Sequence, residues 1–173
     1  MTAVTATDPA TAYPLLTALA NGTPLREVRL DITLATPSFH GQSTFVIRPG
    51  VIDADALELF GFAECMFLAA AVAERIGCGF ALIERYHASD GWKPTHVAAH
   101  LPDGLLLDID GHRTLDHVLA DVRAIGPWPL RHRMVHTWPE VLPERGQSWR
   151  DTLTPLVAEM IDVFADVLVE AAS

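Results

Sequence analysis

The sequence predicts an α+β fold in which a central cysteine-bearing helix packs on an antiparallel sheet. Flanking helices and a long C-terminal amphipathic helix complete it. Three observations lead there. AECMFLAAAVAERIG (63–77) is an apolar run with helical spacing, ended by a glycine. Stretches of period-two alternation lie on both sides of it. The last twenty residues carry a continuous apolar stripe at helical spacing.

In chain order, residues 1–8 read as a flexible tail, and 10–20 as a short helix closed by Asn21-Gly22. REVRLDITLA (26–35) alternates Val28, Leu30, Ile32 and Leu34 with polar neighbours, so it reads as a half-buried strand. STFVIRPG (43–50) is a second strand. Asp53 is placed to cap a helical turn to Leu59. The central helix spans 63–76, with Cys65, Leu68, Ala69, Val72 and Ile76 along its stripe. GFALIERY (79–86) is a strand and HASDGWKP (87–94) a turn-rich loop. THVAAHL (95–101) and LLLDID (105–110) pair through the turn Pro102-Asp103-Gly104. Thr114 caps a helix to Ala124, and 128–138 holds a further strand. From Leu153 the positions 153, 156, 157, 160, 161, 164, 167 and 168 are apolar, with Pro155 in the first turn. This stripe has two uses, cover for the core or a homodimer interface.

The 173 residues suit one domain with a sizeable core. A formal net charge of −10 excludes a nucleic-acid or anionic-membrane binder as the leading class. Arg123, Arg131 and Arg133 make only a weak basic cluster. Two cysteines are too few for a disulfide scaffold, and no four-ligand zinc pattern occurs. The N-terminus lacks a basic segment followed by a long apolar run, and no stretch is long enough to span a bilayer. The expectation is a cytoplasmic protein with free thiols and no cofactor.

The chemistry-bearing residues fall in a definite order. Cys65 lies one turn from the helix start, His96 is 31 residues on at the opening of a strand, and Asp108 is 12 further on in the partner strand. A thiol near a helix N-terminus feels the positive end of the dipole. A neighbouring imidazole takes its proton, and a carboxylate fixes the imidazole's tautomer and orientation. Counting across the 102–104 turn puts residue 96 opposite 110, with 108 a diagonal neighbour on the same face.

AECMFLAAAVAERIG followed by PTHVAAHLPDGLLLDIDG resembles the core of papain-like and transglutaminase-like proteins. It is also similar to small uncharacterised bacterial proteins and papain-fold toxin domains. The resemblance covers roughly residues 60–112. It implies Cys65 as nucleophile, His96 as general base and acid, Asp108 as orienter, and the Cys65 backbone N–H in an oxyanion hole. One departure is plain: no glutamine precedes the cysteine at the family's spacing, the nearest upstream being Gln42.

Rival readings accompany these residues. His100 shares the strand face of His96 as an alternative base, and Asp110 that of Asp108 as an alternative orienter. Cys78, at the helix end, reads as structural. Trp92 reads as a packing residue or a wall of the cleft. His96 with His100, or His132 with His136, each pair on a strand as candidate metal ligands. The functional expectation is a cysteine hydrolase or acyl/amide transferase working through a thioacyl intermediate on a protein or peptide substrate. The alternatives are a catalytically inactive binding or assembly protein of that fold, favoured by Glu64 beside the thiol, and a His-rich metal-binding protein.

Overall fold

The computed structural model describes residues 8–173. The tail expected over 1–8 lies outside these residues except for Asp8, whose carboxylate caps the first helix by accepting from the Ala10 N–H. That helix is split. Pro9–Ala12 (α1) and Pro14–Ala20 (α2) are separated at Tyr13, because the residue before a proline is driven out of the helical region. Leu30–Thr33 (β1) and Thr44–Ile47 (β2) form a separate two-stranded antiparallel sheet, with Leu30 opposite Ile47.

Ala54–Phe62 (α3) is capped by Asp53, which accepts from the Ala56 N–H. Cys65–Ile76 (α4) follows and ends at Gly77, whose φ of 73° gives the left-handed stop that costs glycine least. The main sheet has five antiparallel strands in the order β6-β5-β4-β3-β7. They are Gly79–His87 (β3), Gly91–His100 (β4), Leu106–Asp108 (β5), Gly111–Arg113 (β6) and Leu130–Val135 (β7). Leu115–Ile125 (α5) is capped by Thr114, Trp138–Val141 (α6) is a short turn, and Pro155–Ala171 (α7) closes the chain.

The loop expected at 87–94 is mostly strand. Tyr86, Arg85 and Glu84 pair with Trp92, Lys93 and Pro94, so the turn is confined to 88–90. Pro94 is tolerated because β5 pairs only with Ala99 and His100, leaving this end of β4 an open edge. The register slips between Ile83, opposite His96, and Glu84, opposite Pro94. Thr95 is therefore the extra residue of a β-bulge.

α4 is buried almost all round, from Cys65 through Ala73 with Met66 half-buried, because it lies between the main sheet and α7. Its alanines let both layers approach closely. Phe80, Leu82, Val97, Ala99 and Leu107 share this core with α4 and α7. α5 covers a second, smaller core of Ala81, Ile83, Ala98 and Leu106 with Val118, Leu119 and Val122. Removing the Leu68 side chain from the main core would cost about 2–5 kcal/mol. α7 begins at Pro155 with Thr154 as its cap, rather than at Leu153. Its Met160, Ile161, Phe164 and Leu168 are spent on the chain's own core, and Phe164 packs on Phe60 at 5.0 Å. Arg75 binds Asp162 and Asp166, and Arg150 bridges Glu74 to Asp162, which pins α7 to α4.

Among the described residues no single helix is long and apolar enough to cross a membrane. α3 and α4 pass that test only as a pair, bent by 88°.

Candidate active site

α3 and α4 meet at a sharp corner, and Glu64 is the N-cap residue of α4. Cys65 is thus the first residue of that helix, where backbone N–H groups have no partner in the preceding turn. Its side chain is buried, at 6% exposure. His96, also 6% exposed, lies next to the bulge on β4, and Asp108, 3% exposed, ends β5. The observed register, Ala99 opposite Leu107, is the one the three-residue turn demands.

His96 Nε2 lies 3.0 Å from Asp108 Oδ2. This occupies one ring nitrogen and leaves Nδ1, and Cys65 lies near enough to act on the ring's charge. Burial alone would push the His96 pKa down. The bond to Asp108 and then the Cys65 sulfur outweigh it, lifting the pKa from 6.5 to about 10. Cys65, His96 and Asp108 are therefore brought together as a chain of contacts.

Asp108 is itself held. Its Oδ1 accepts from the Asp110 N–H at 3.0 Å, and Arg113 Nη1 stands 3.5 Å from Oδ2. The rival orienter Asp110 pairs with Arg113 at 3.2 Å instead, and burial together with the Asp108 charge raises its pKa. The rival base His100 lies at the opposite end of β4, where its backbone contacts Cys78. Cys78 is half-buried, and burial pushes its thiol above the ordinary 9.0. Gln42 donates to the Thr44 carbonyl and to Asp55. His132 and His136 are exposed on and beside β7. Among the described residues no three His, Cys, Asp or Glu side chains converge to hold a metal.

Cys65 and His96 open onto a cleft of about 610 Å³. Its wall includes Phe39, Arg85, Thr95 and Trp128, none of them nominated by the sequence. Among the described residues the buried Thr95 hydroxyl has no hydrogen-bond partner. Trp92 does not line the cleft. It packs edge-on against Tyr86 at 5.5 Å, under the Arg131 guanidinium. The basic cluster expected around Arg131 and Arg133 is consumed internally, since both donate to buried Glu84, at 2.6 and 3.0 Å.

The arrangement can hold a sulfur beside a proton-carrying imidazole that a buried carboxylate orients, at the edge of a cleft large enough for a short chain. Comparison with protein-family models, with curated proteins and with solved structures returned no match.

Proposed function

We propose that the protein is a cysteine-dependent hydrolase or acyl/amide transferase of the papain-like and transglutaminase-like kind, with Cys65 as nucleophile, His96 as general base and acid, and Asp108 as orienter. The observation that carries this reading is the buried His96–Asp108 bond of 3.0 Å, with Cys65 acting on the same imidazole in the cleft that both line.

The chemistry runs as follows. His96 holds the proton of the Cys65 thiol, giving a thiolate–imidazolium pair. The sulfur attacks the substrate carbonyl carbon. A C–S bond forms, and the carbonyl π electrons move to oxygen, which the Cys65 N–H at the helix start can stabilise. The intermediate collapses, the C–N bond breaks, and His96 passes its proton to the departing amine. Water or a second amine then attacks the thioacyl carbon and gives its proton to His96. The C–S bond breaks and the thiolate leaves beside the newly protonated His96, which is the starting pair. The identity of the second nucleophile separates a hydrolase from a transferase.

The test is the rate of alkylation by iodoacetamide at each cysteine, read by peptide mass spectrometry. Cys65 should label faster than Cys78 at pH 7. Cys78 should gain roughly tenfold per pH unit, as a thiol well below its pKa does. His96→Ala should slow Cys65 by about 10²-fold or more and leave Cys78 unchanged. Slow labelling of Cys65 that is indifferent to His96→Ala would replace this reading with the non-catalytic binding protein.

A further inference from the structure

Arg85 differs from the other stacked arginines. Among the described residues Arg48, Arg75, Arg113, Arg131, Arg133 and Arg150 hold carboxylates, whereas Arg26, Arg29, Lys93 and Arg123 make no ion pair. Arg131 and Arg150 also stack on tryptophans, so stacking and carboxylate binding occur together in both. Arg85 stacks twice, 4.7 Å from the Phe39 centroid and 4.6 Å from that of Trp128. Yet among the described residues no carboxylate lies within ion-pair distance of it. It lines the same cleft as Cys65 and His96.

The support around Arg85 is built. Phe39 and Trp128 are tilted by 47° with centroids 6.2 Å apart, making a V that receives the guanidinium. Phe39 is tied by its N–H to the Phe62 carbonyl at the end of α3. Trp128 folds back over Gly126, where any Cβ would stand 2.5 Å from the ring. Contact with ring faces fixes the guanidinium plane and leaves its edge donors for an acceptor. Glu64, the acidic residue on the cleft wall, has an interaction of its own.

We infer that Arg85, clamped by Phe39 and Trp128, is a carboxylate-binding subsite, and that the cleft takes an acyl or amide substrate bearing a carboxylate near the reacting carbonyl. The inference rests on the nucleophile reading of Cys65. The carboxylate belongs either to an acidic side chain or to a chain terminus. Both offer the planar two-oxygen acceptor that a guanidinium grips through two N–H bonds.

Two maleimides with the same reactive ring test it: neutral N-ethylmaleimide and anionic 3-maleimidopropionate. At Cys65 the anionic reagent should react about tenfold faster relative to the neutral one than it does at Cys78. Arg85→Gln should bring the ratio of anionic to neutral rates at Cys65 down to that at Cys78. Gly126→Ala, which displaces Trp128, should reduce it in the same sense. An equal fall for both reagents, or no anionic advantage in the native protein, overturns the subsite. The nucleophile reading fails separately, if the neutral reagent at Cys65 is slow and indifferent to His96→Ala. In that event binding decides the subsite, through titration of N-acetylglutamine (terminal carboxylate only) and N-acetylglutamic acid α-amide (side-chain carboxylate only). A saturable shift of the Trp128 indole N–H resonance, lost in Arg85→Gln, supports the subsite and identifies the source. No saturable shift with either compound overturns it.

Discussion

The main sheet buries two carboxylates to almost the same depth, Glu84 at 4% exposure and Asp108 at 3%. They are put to different ends. Glu84 accepts from Arg131 and Arg133, two cations that never release their protons in water. Burial pushes its pKa up, but the two guanidinium groups win and hold it below the ordinary 4.5. Asp108 shares its Oδ2 between His96 and Arg113. One of those partners is permanently charged and the other is a titratable imidazole on which Cys65 also acts. A buried carboxylate with only fixed charges around it is a structural pair. One with a titrating partner can direct chemistry. Burial alone does not separate the two cases; the identity of the partner does.

The largest effect that would break this contrast is on reactivity. Asp108→Asn keeps the shape but removes the charge that helps hold the imidazolium, so His96 should lose much of its raised pKa. Alkylation of Cys65 at pH 7 should fall by about 10–100-fold. Glu84→Gln should leave that rate within about twofold. Equal losses in both variants would mean that Asp108 acts only through the fold.

Next in size is stability. Glu84→Gln should cost about 1–2 kcal/mol by urea unfolding at pH 7. The cost is small because both arginine partners are 43% exposed and can rehydrate. The pH dependence carries a definite sign. A carboxylate whose folded pKa is depressed contributes stability that is fully present above its unfolded value of 4.5. That contribution disappears as pH falls through the folded pKa. The native protein should therefore steepen its loss of stability below pH 4.5, by at most one proton's slope, about 1.4 kcal/mol per pH unit. Glu84→Gln should flatten that limb. An unchanged acid limb would show that Glu84 is not the group responsible.

The two carboxylates also differ in how far the sequence exposes them. Asp108 is legible beside His96 because both lie on one hairpin whose three-residue turn sets the register, and period-two geometry does the rest. The position of Cys65 follows from helical spacing and the Gly77 stop. Glu84 is not legible as a buried ion: in GFALIERY it occupies an ordinary polar slot, and its partners come from β7, 47 and 49 residues away. The Phe39–Arg85–Trp128 clamp escapes for the same reason, since three segments with no shared periodicity meet only in the folded chain. Trp92 is the closer tryptophan to His96 in sequence, yet Trp128 reaches the cleft. Pro14, the Thr95 bulge and the short β6 are local decisions that hydrophobic patterning does not register.

The smallest expected effect concerns Arg113, whose removal tests whether Asp108 needs its fixed-charge partner at all. Two consequences oppose each other. Arg113→Gln takes away one restraint on the carboxylate, but also a cation competing with His96 for the same Oδ2. The restraint is slight: at 3.5 Å the guanidinium stands at the outer limit of a hydrogen bond, while the Asp110 N–H still holds Oδ1 at 3.0 Å. Relief of the competition should therefore offset the lost restraint, and alkylation of Cys65 should stay within about threefold of the native rate. Stability should fall by about 1 kcal/mol, because Arg113 also binds Asp110 and Asp121. A loss of Cys65 reactivity as deep as that of Asp108→Asn would place Arg113, rather than the backbone of Asp110, in charge of holding the carboxylate toward the imidazole.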